Sequence, residues 1–333
     1  MKKLTFCSLF VLSIITLSGC VGTPAVPFKE LLTTAPLFRT LEKSSIEKEL
    51  DEVGTSTLSK EAQKELAAVA KNIENGKRVQ LEIEKGNAFF EKGDIDTAIA
   101  CYSHAIRLDP LSVDAHYQRA IAHGQINDFA KEIVDYDAVI QLDTEHAEAR
   151  NRLGVSYANQ GNIDLAIMHF SESIRIKPDF VEAYNNRAVA YANKGNIDKT
   201  ISDLSQAIKL NPDNPNAYFN RAIIYNNTRK FDQAIKDFTE TIRANPEHAR
   251  AYMSRADIFA SQGKNEKAIT DYTIAIELKP QWAEAFYNRG LAYKSNGQQD
   301  EAVADFTEAI KLNPKHDKQT QTISFRAGTA PIE

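Results

Sequence analysis

Shifted against itself by 34 residues, the chain lays its apolar positions on one another seven times between Val79 and His316, without an insertion. The units begin at Val79, Val113, Ala147, Val181, Pro215, Ala249 and Ala283. Each carries two apolar stripes at helical spacing. The first has a small residue at Gly86, Ala120, Gly154, Ala188, Ala222, Ala256 and Gly290. A ring follows three residues on, at Phe89, His123, Tyr157, Tyr191, Tyr225, Phe259 and Tyr293. The second runs through Ala98, Ala166, Ala234, Ala268 and Ala302, with Tyr102, Tyr136, Phe170, Leu204, Phe238, Tyr272 and Phe306 four residues beyond each unit's corresponding place. Between the stripes, Gly93, Gly161, Gly195, Gly263 and Gly297 supply the left-handed residue that ends a helix; Asn127 substitutes for it, and Arg229 breaks the rule. Units close on proline, which cannot continue a helix, except the second, where Thr144 stands instead. The pattern predicts two antiparallel helices per unit.

This pattern resembles the tetratricopeptide repeat family in every unit. The resemblance implies an all-α fold, a right-handed α-α superhelix (solenoid) of seven 34-residue helix-turn-helix repeats over residues 79–316, with the first helix of each repeat lining an inner groove. The physics points the same way, because a two-helix unit cannot bury its apolar stripe alone and stacking on neighbours does so. The second unit is the weakest copy, with Glu132 in the small-residue seam and Thr144 for proline, and is expected to be a soft spot.

The flanks have a different pattern. Two lysines, a mostly apolar run from Leu4 to Leu17 and then small residues are built like a secretory signal over residues 1–19. Leu17-Ser18-Gly19-Cys20 resembles the lipobox of bacterial lipoproteins, which implies cleavage before Cys20 and acylation of its sulfur. Two or more acyl chains hold a protein stably on a membrane where one does not. Val21 after that cysteine, in place of aspartate, resembles lipoproteins sorted to the outer membrane of a diderm cell. Residues 20–58 then form a lipidated tether, 59–78 an amphipathic capping helix with Ser59 as its cap, and 317–333 a tail. Of three cysteines, only Cys101 would remain free in the mature chain, so no internal disulfide can form and stability must come from packing. The last helix keeps Phe306, Ile310 and Leu312, expected to pack on a following unit. Either the tail covers them through Ile323 and Phe325, or another chain docks there, a second copy of this one included.

Polar positions divide into two groups. Arginine at Arg119, Arg187, Arg221, Arg255 and Arg289 always precedes the small residue, and aspartate at Asp135, Asp203, Asp237, Asp271 and Asp305 always precedes the second-helix apolar position, in the same five units. The first unit has Lys85 with Cys101 and the third Leu153 with His169, so the two residue types are absent together. They are predicted to pair as structural ion pairs across each hairpin; five identical pairs along a rod cannot converge on one substrate. The second group lines the groove: Asn186, Asn220 and Asn288 share a column with Gln118, Arg152 and Ser254, and helical spacing sets Asn159, Asn193 and Asn227 on the same face, beside Tyr117, Phe219 and Tyr287. An amide donates and accepts at once, which suits a peptide backbone of any sequence. The arrangement resembles the asparagine ladder in the repeat domains of O-linked N-acetylglucosamine transferases, which implies sequence-tolerant peptide binding; a solvated polar face without a ligand is the alternative. Asp114, Glu148, Glu182 and Glu284 edge the groove and disfavour acidic peptides, and the lysine and arginine clamp by which some repeat domains hold a terminal carboxylate is not matched.

Composition narrows the remaining options. A formal charge of -5, more negative still without Lys2 and Lys3, lacks the basic surface that nucleic acid needs. There is no HExxH, GxSxG, glycine-rich phosphate loop or CxxC pair. No cofactor or metal is expected: His146, His248 and His316 recur as register residues of the inter-unit loop, and His116 and His123 have no third ligand nearby. The expected function is a non-enzymatic, membrane-anchored scaffold or adaptor of a bacterial envelope. It would hold an extended protein segment while secretin, pilus, polysaccharide-export or peptidoglycan complexes assemble. A self-associating structural lipoprotein and an envelope enzyme are the competing readings.

Overall fold

The computed structural model describes residues 60–313, which form fourteen α-helices and no strand. The signal, Cys20, the tether, Ser59, His316 and the tail lie outside the described residues. Contacts divide the chain after Asp143 into two compact units. The first holds α1 (Lys60–Glu91), α2 (Ile95–Leu108), α3 (Val113–Gln125) and α4 (Phe129–Leu142). The second holds α5 (Ala147–Asn159), α6 (Ile163–Ile176), α7 (Val181–Asn193), α8 (Ile197–Leu210), α9 (Pro215–Asn227), α10 (Phe231–Ala244), α11 (Ala249–Ser261), α12 (Asn265–Leu278), α13 (Ala283–Ser295) and α14 (Gln299–Leu312).

Within each unit the helices pair as hairpins, and the second helix of one hairpin packs on the first helix of the next. The capping segment and the first helix of repeat one are a single helix, α1, of 32 residues. Gly76 weakens the joint by about 1 kcal/mol relative to alanine, but the helix runs through it and no proline is present to end it there.

The hairpins close over the small-residue column. A Cβ placed on Gly86 would lie 2.4 Å from the Tyr102 ring, and one on Gly154 would lie 2.6 Å from the Phe170 ring. At Gly86 and Gly154 the absence of a side chain lets the second helix bring its ring this close to the first. Tyr102 and Phe170 are buried over these glycines, and Tyr136, Leu204, Phe238 and Tyr272 reach the same burial over alanines. Phe306 holds the same position in its own hairpin, 5.6 Å from the Tyr287 ring centroid and against Gly290, but it is only half-buried where the six equivalent side chains before it are buried. The large apolar side chain that α14 exposes is Val303.

Each first helix ends on a residue with positive φ. Five are glycines, and Asn127 (φ 58°) and Arg229 (φ 59°) adopt the same conformation. Arg229 has no sequence licence for it; the hairpin imposes it at a cost of about 1 kcal/mol. The second repeat is better fitted than its sequence suggests. Glu132 packs where a Cβ on Gly124 would lie 2.8 Å from Oε1, so glycine in the first helix makes room for the long side chain in the second. The recurring loop histidines are helix caps: His146 Nδ1 accepts from the Ala149 amide and His248 Nδ1 from the Ala251 amide, both at 3.2 Å.

Candidate functional site

The five arginine–aspartate pairs are bidentate. Arg221 Nε and Nη2 donate to Asp237 Oδ2 and Oδ1 at 2.7 and 2.9 Å, and Arg119–Asp135, Arg187–Asp203, Arg255–Asp271 and Arg289–Asp305 have the same geometry. The aspartates are buried and the arginine side chains are 15–22% exposed. Four of the guanidiniums also lie between two rings of their own helix, as Arg187 does between Tyr184 and Tyr191 at 5.7 and 5.9 Å.

A third contact escaped sequence reading. The remaining nitrogen, Nη1, donates to a hydroxyl on the second helix of the preceding repeat: Arg119 to Ser103, Arg187 to Ser171, Arg221 to Ser205, Arg255 to Thr239 and Arg289 to Thr273, at 2.9–3.1 Å. Each guanidinium thus joins its own hairpin and ties it to the one before. Burial raises the Asp135 carboxyl, but hydrogen bonds from Arg119 and His116 outweigh it and hold the group below the usual carboxylate range. These residues are architecture.

Repeat three solves the same packing problem without charge. Leu153 and His169 are both buried, and His169 stacks on Tyr157 with centroids 5.3 Å apart. Burial, with the Arg150 charge added, pushes the His169 imidazole down to about 4. Its unfolded value is about 6.5, so between about pH 6.5 and 4 the unfolded chain binds a proton that the folded chain refuses. Stability is therefore full above pH 6.5 and falls as the pH drops through that window. His123 and His248 are lowered too, each by burial first, and add in the same direction. Urea midpoints measured between pH 7 and 4.5 should decline less steeply for His169→Gln than for the wild type; equal slopes would refute the assignment.

The inner face of the second unit is where successive first helices meet. Asn186 Nδ2 on α7 donates to Asn151 Oδ1 on α5 at 3.1 Å, and Asn151 Nδ2 in turn donates to Glu182. Asn288 Nδ2 on α13 donates to Asp257 Oδ1 on α11 at 3.1 Å, an oxygen that also accepts the Tyr272 hydroxyl at 2.6 Å. Burial raises the Asp257 carboxyl, against the opposing bonds from Tyr272 and Asn288. Two of the column's amides thus spend one donor on the neighbouring helix, while the Asn220 side chain makes no hydrogen bond among the described residues. Arg152, Asn159, Asn193 and Asn227 are exposed. Beside them Val189 leaves 45% of its surface open.

The face is graded. One position before the column of Arg152, Asn186, Asn220, Ser254 and Asn288 stand Asn151 and Asn185 in repeats three and four, then Phe219, Met253 and Tyr287 in repeats five to seven. Phe219 and Tyr287 are half-buried, with Phe219 5.7 Å from Phe238 and 4.6 Å from His248, so they serve the core and the face together. In the first unit Gln118 is half-buried, and Tyr117 meets Tyr136 edge-on at 5.8 Å. Asn151 and Asp257 were missed as site residues; the signal was their polarity in columns that, apart from Asn185 and Asn87, hold apolar or aromatic side chains.

A family model described as TPR repeat matches residues 86–127, 156–195 and 256–297. Two models described as tetratricopeptide repeat match 181–214 with 283–316, and 204–236. Curated proteins give no match. Among solved structures, a tetratricopeptide repeat protein from Parabacteroides merdae is similar at 20% identity and TM-score 0.55, covering 71% of this chain and 94% of that one. PilF of Pseudomonas aeruginosa is similar at 16% identity and TM-score 0.56, covering 67% and 98%. YrrB, described as a TPR protein with an unusual peptide-binding site, is similar at 16% identity and TM-score 0.50, covering 57% and 97%. These likenesses establish the fold, and with the repeat models falling on the same hairpins that the geometry defines, the chain belongs to the tetratricopeptide repeat family.

Proposed function

We propose that the protein is a lipid-anchored adaptor of a bacterial envelope, whose second unit holds an extended segment of another envelope protein against the first-helix amides of repeats three to five. The fold itself is that of a protein–protein interaction scaffold. The observation that carries the peptide reading is the state of the amide column. Asn186 keeps its carbonyl oxygen and Asn220 its whole amide, beside the exposed apolar Val189. Acceptors and donors alternating with apolar floor suit a main chain presenting its own N–H and C=O groups. YrrB shows the same fold described with a peptide-binding site. Anchoring rests on Leu17-Ser18-Gly19-Cys20, with the tether giving the repeats reach from the membrane.

A photo-crosslinker at Asn186 or Asn220 in the native cell should capture one specific envelope protein. The same group at Met168, exposed on a second helix, should not. In parallel, Cys20→Ser should move the protein from the membrane to the soluble fraction. Equal capture from Met168 would defeat the groove reading, and a wild-type protein recovered soluble with Cys20 unmodified would defeat the anchor.

A further inference from the structure

An open depression of about 800 Å³ lies at the start of α11 and α13, lined by Arg250, Lys279, Pro280, Gln281, Trp282 and Glu284. Comparison with repeat three shows what is unusual about it. There, Lys177 ends the second helix, donates to Glu148 at 2.9 Å and lies over the Phe180 ring at 4.8 Å. One lysine, one carboxylate and one ring complete that corner. In repeat six the equivalent positions hold Lys279, Arg250 and Trp282, with Lys279 5.5 Å from the indole centroid. The carboxylate has been replaced by a second cation.

Neither Arg250 nor Lys279 forms an ion pair among the described residues, and both charges bear on His248, helping to lower its basicity behind burial. Glu284 lines the same depression but lies within ion-pair distance of neither cation. Two exposed cations beside an indole, with the pairing carboxylate removed, have charge to spare for one anionic group. The remaining Glu284 disfavours a second.

The position identifies the source of that group. Arg250 and Glu284 stand one helical turn before Ser254 and Asn288, so the depression adjoins the amide column. We propose that this depression takes a single aspartate or glutamate side chain of the same extended partner segment, with Arg250 and Lys279 holding the carboxylate and Trp282 covering the side chain's methylenes. Elsewhere along the unit Glu148 is already paired with Lys177 and Glu182 stands in the place of Arg250, so neither favours such a residue, and this corner would set the register of an otherwise sequence-tolerant groove. The inference rests on the adaptor reading for the identity of its ligand, and its test separates the two.

Trp282 is the only tryptophan of the chain, so its fluorescence reports this corner alone. The probes are acetylated, amidated decapeptides of serine, asparagine and alanine carrying one central Glu, the same peptide with Gln, and the Gln peptide with a free carboxy-terminus. They are titrated into the full-length chain, with peptide fluorescence anisotropy followed alongside. The Glu peptide should bind about tenfold more tightly than the Gln peptide, the scale of a charge-assisted contact, and should alone shift the Trp282 emission. Arg250→Glu rebuilds the Lys177–Glu148 arrangement and so keeps the corner folded; it should erase the preference and leave the Gln peptide's affinity unchanged. Equal affinity for Glu and Gln peptides, a preference that survives Arg250→Glu, or a Trp282 response to the free terminus only would each overturn the proposal. Binding of the Glu peptide with no binding of the Gln peptide would instead remove the amide-column reading and leave this one standing; no binding of any peptide removes both.

Discussion

Phe170→Ala should cost about 4 kcal/mol, in the middle of the range for emptying a buried aromatic site. The ring is 1% exposed and faces Gly154, whose missing side chain leaves nothing to fill the void from the first helix. The same reasoning gives a test with a change of sign. In the wild type, Gly154→Ala places a Cβ 2.6 Å from the ring. Overpacking of about 1–3 kcal/mol then outweighs the roughly 1 kcal/mol that alanine contributes to helix propensity. Ala222 beneath Phe238 shows that a hairpin can hold both, so the net loss belongs at the low end. In a Phe170→Leu background the clash is gone and Gly154→Ala should stabilise, because repeat four already combines Ala188 with Leu204. Urea unfolding followed by helical circular dichroism measures all three; a Gly154→Ala effect of the same sign in both backgrounds would show that ring and glycine are not coupled.

Asp237→Ala should cost about 3 kcal/mol, near the bottom of the range for breaking one side of a buried pair. Arg221 would lose both bonds of its fork but keep Ser205, and its side chain is 17% exposed, so water offsets part of the loss. The protein supplies its own replacement for the pair. Leu153 and His169 occupy these positions in repeat three, with His169 stacked on Tyr157, and repeat five offers Tyr225 at the matching place. Arg221→Leu combined with Asp237→His should therefore recover most of what either change loses alone. A double variant no better than Asp237→Ala would mean that the two solutions are not interchangeable.

Much of this architecture is legible in the sequence because a 34-residue period compares the chain with itself seven times. Arginine and aspartate vanish together in repeats one and three, and that joint absence locates the pairs. The hydroxyl leg was equally visible, since a serine or threonine precedes each paired arginine by sixteen residues at 103, 171, 205, 239 and 273, and Asp137 stands there before Leu153. Serine and threonine on a helix surface are too ordinary to attract notice without the geometry. Other features depend on quantities that periodicity does not encode. Whether Asn186 and Asn288 are free or bonded turns on the separation of neighbouring first helices. Gly124 was not read as room for Glu132, and Arg250 was not read against Lys177 and Glu148, because both need a partner from another helix.

The reach of each guanidinium back to the preceding hairpin gives the array a polarity that its internal symmetry hides. Within the second unit each broken interface frees one guanidinium and one hydroxyl, but the guanidinium stays on the folded array when the amino-terminal hairpin peels away, whereas only the hydroxyl, which water satisfies readily, stays there when the carboxy-terminal hairpin does. Fraying inward from the two ends is therefore energetically unequal, and a load applied through one terminus meets a different first obstacle from a load applied through the other.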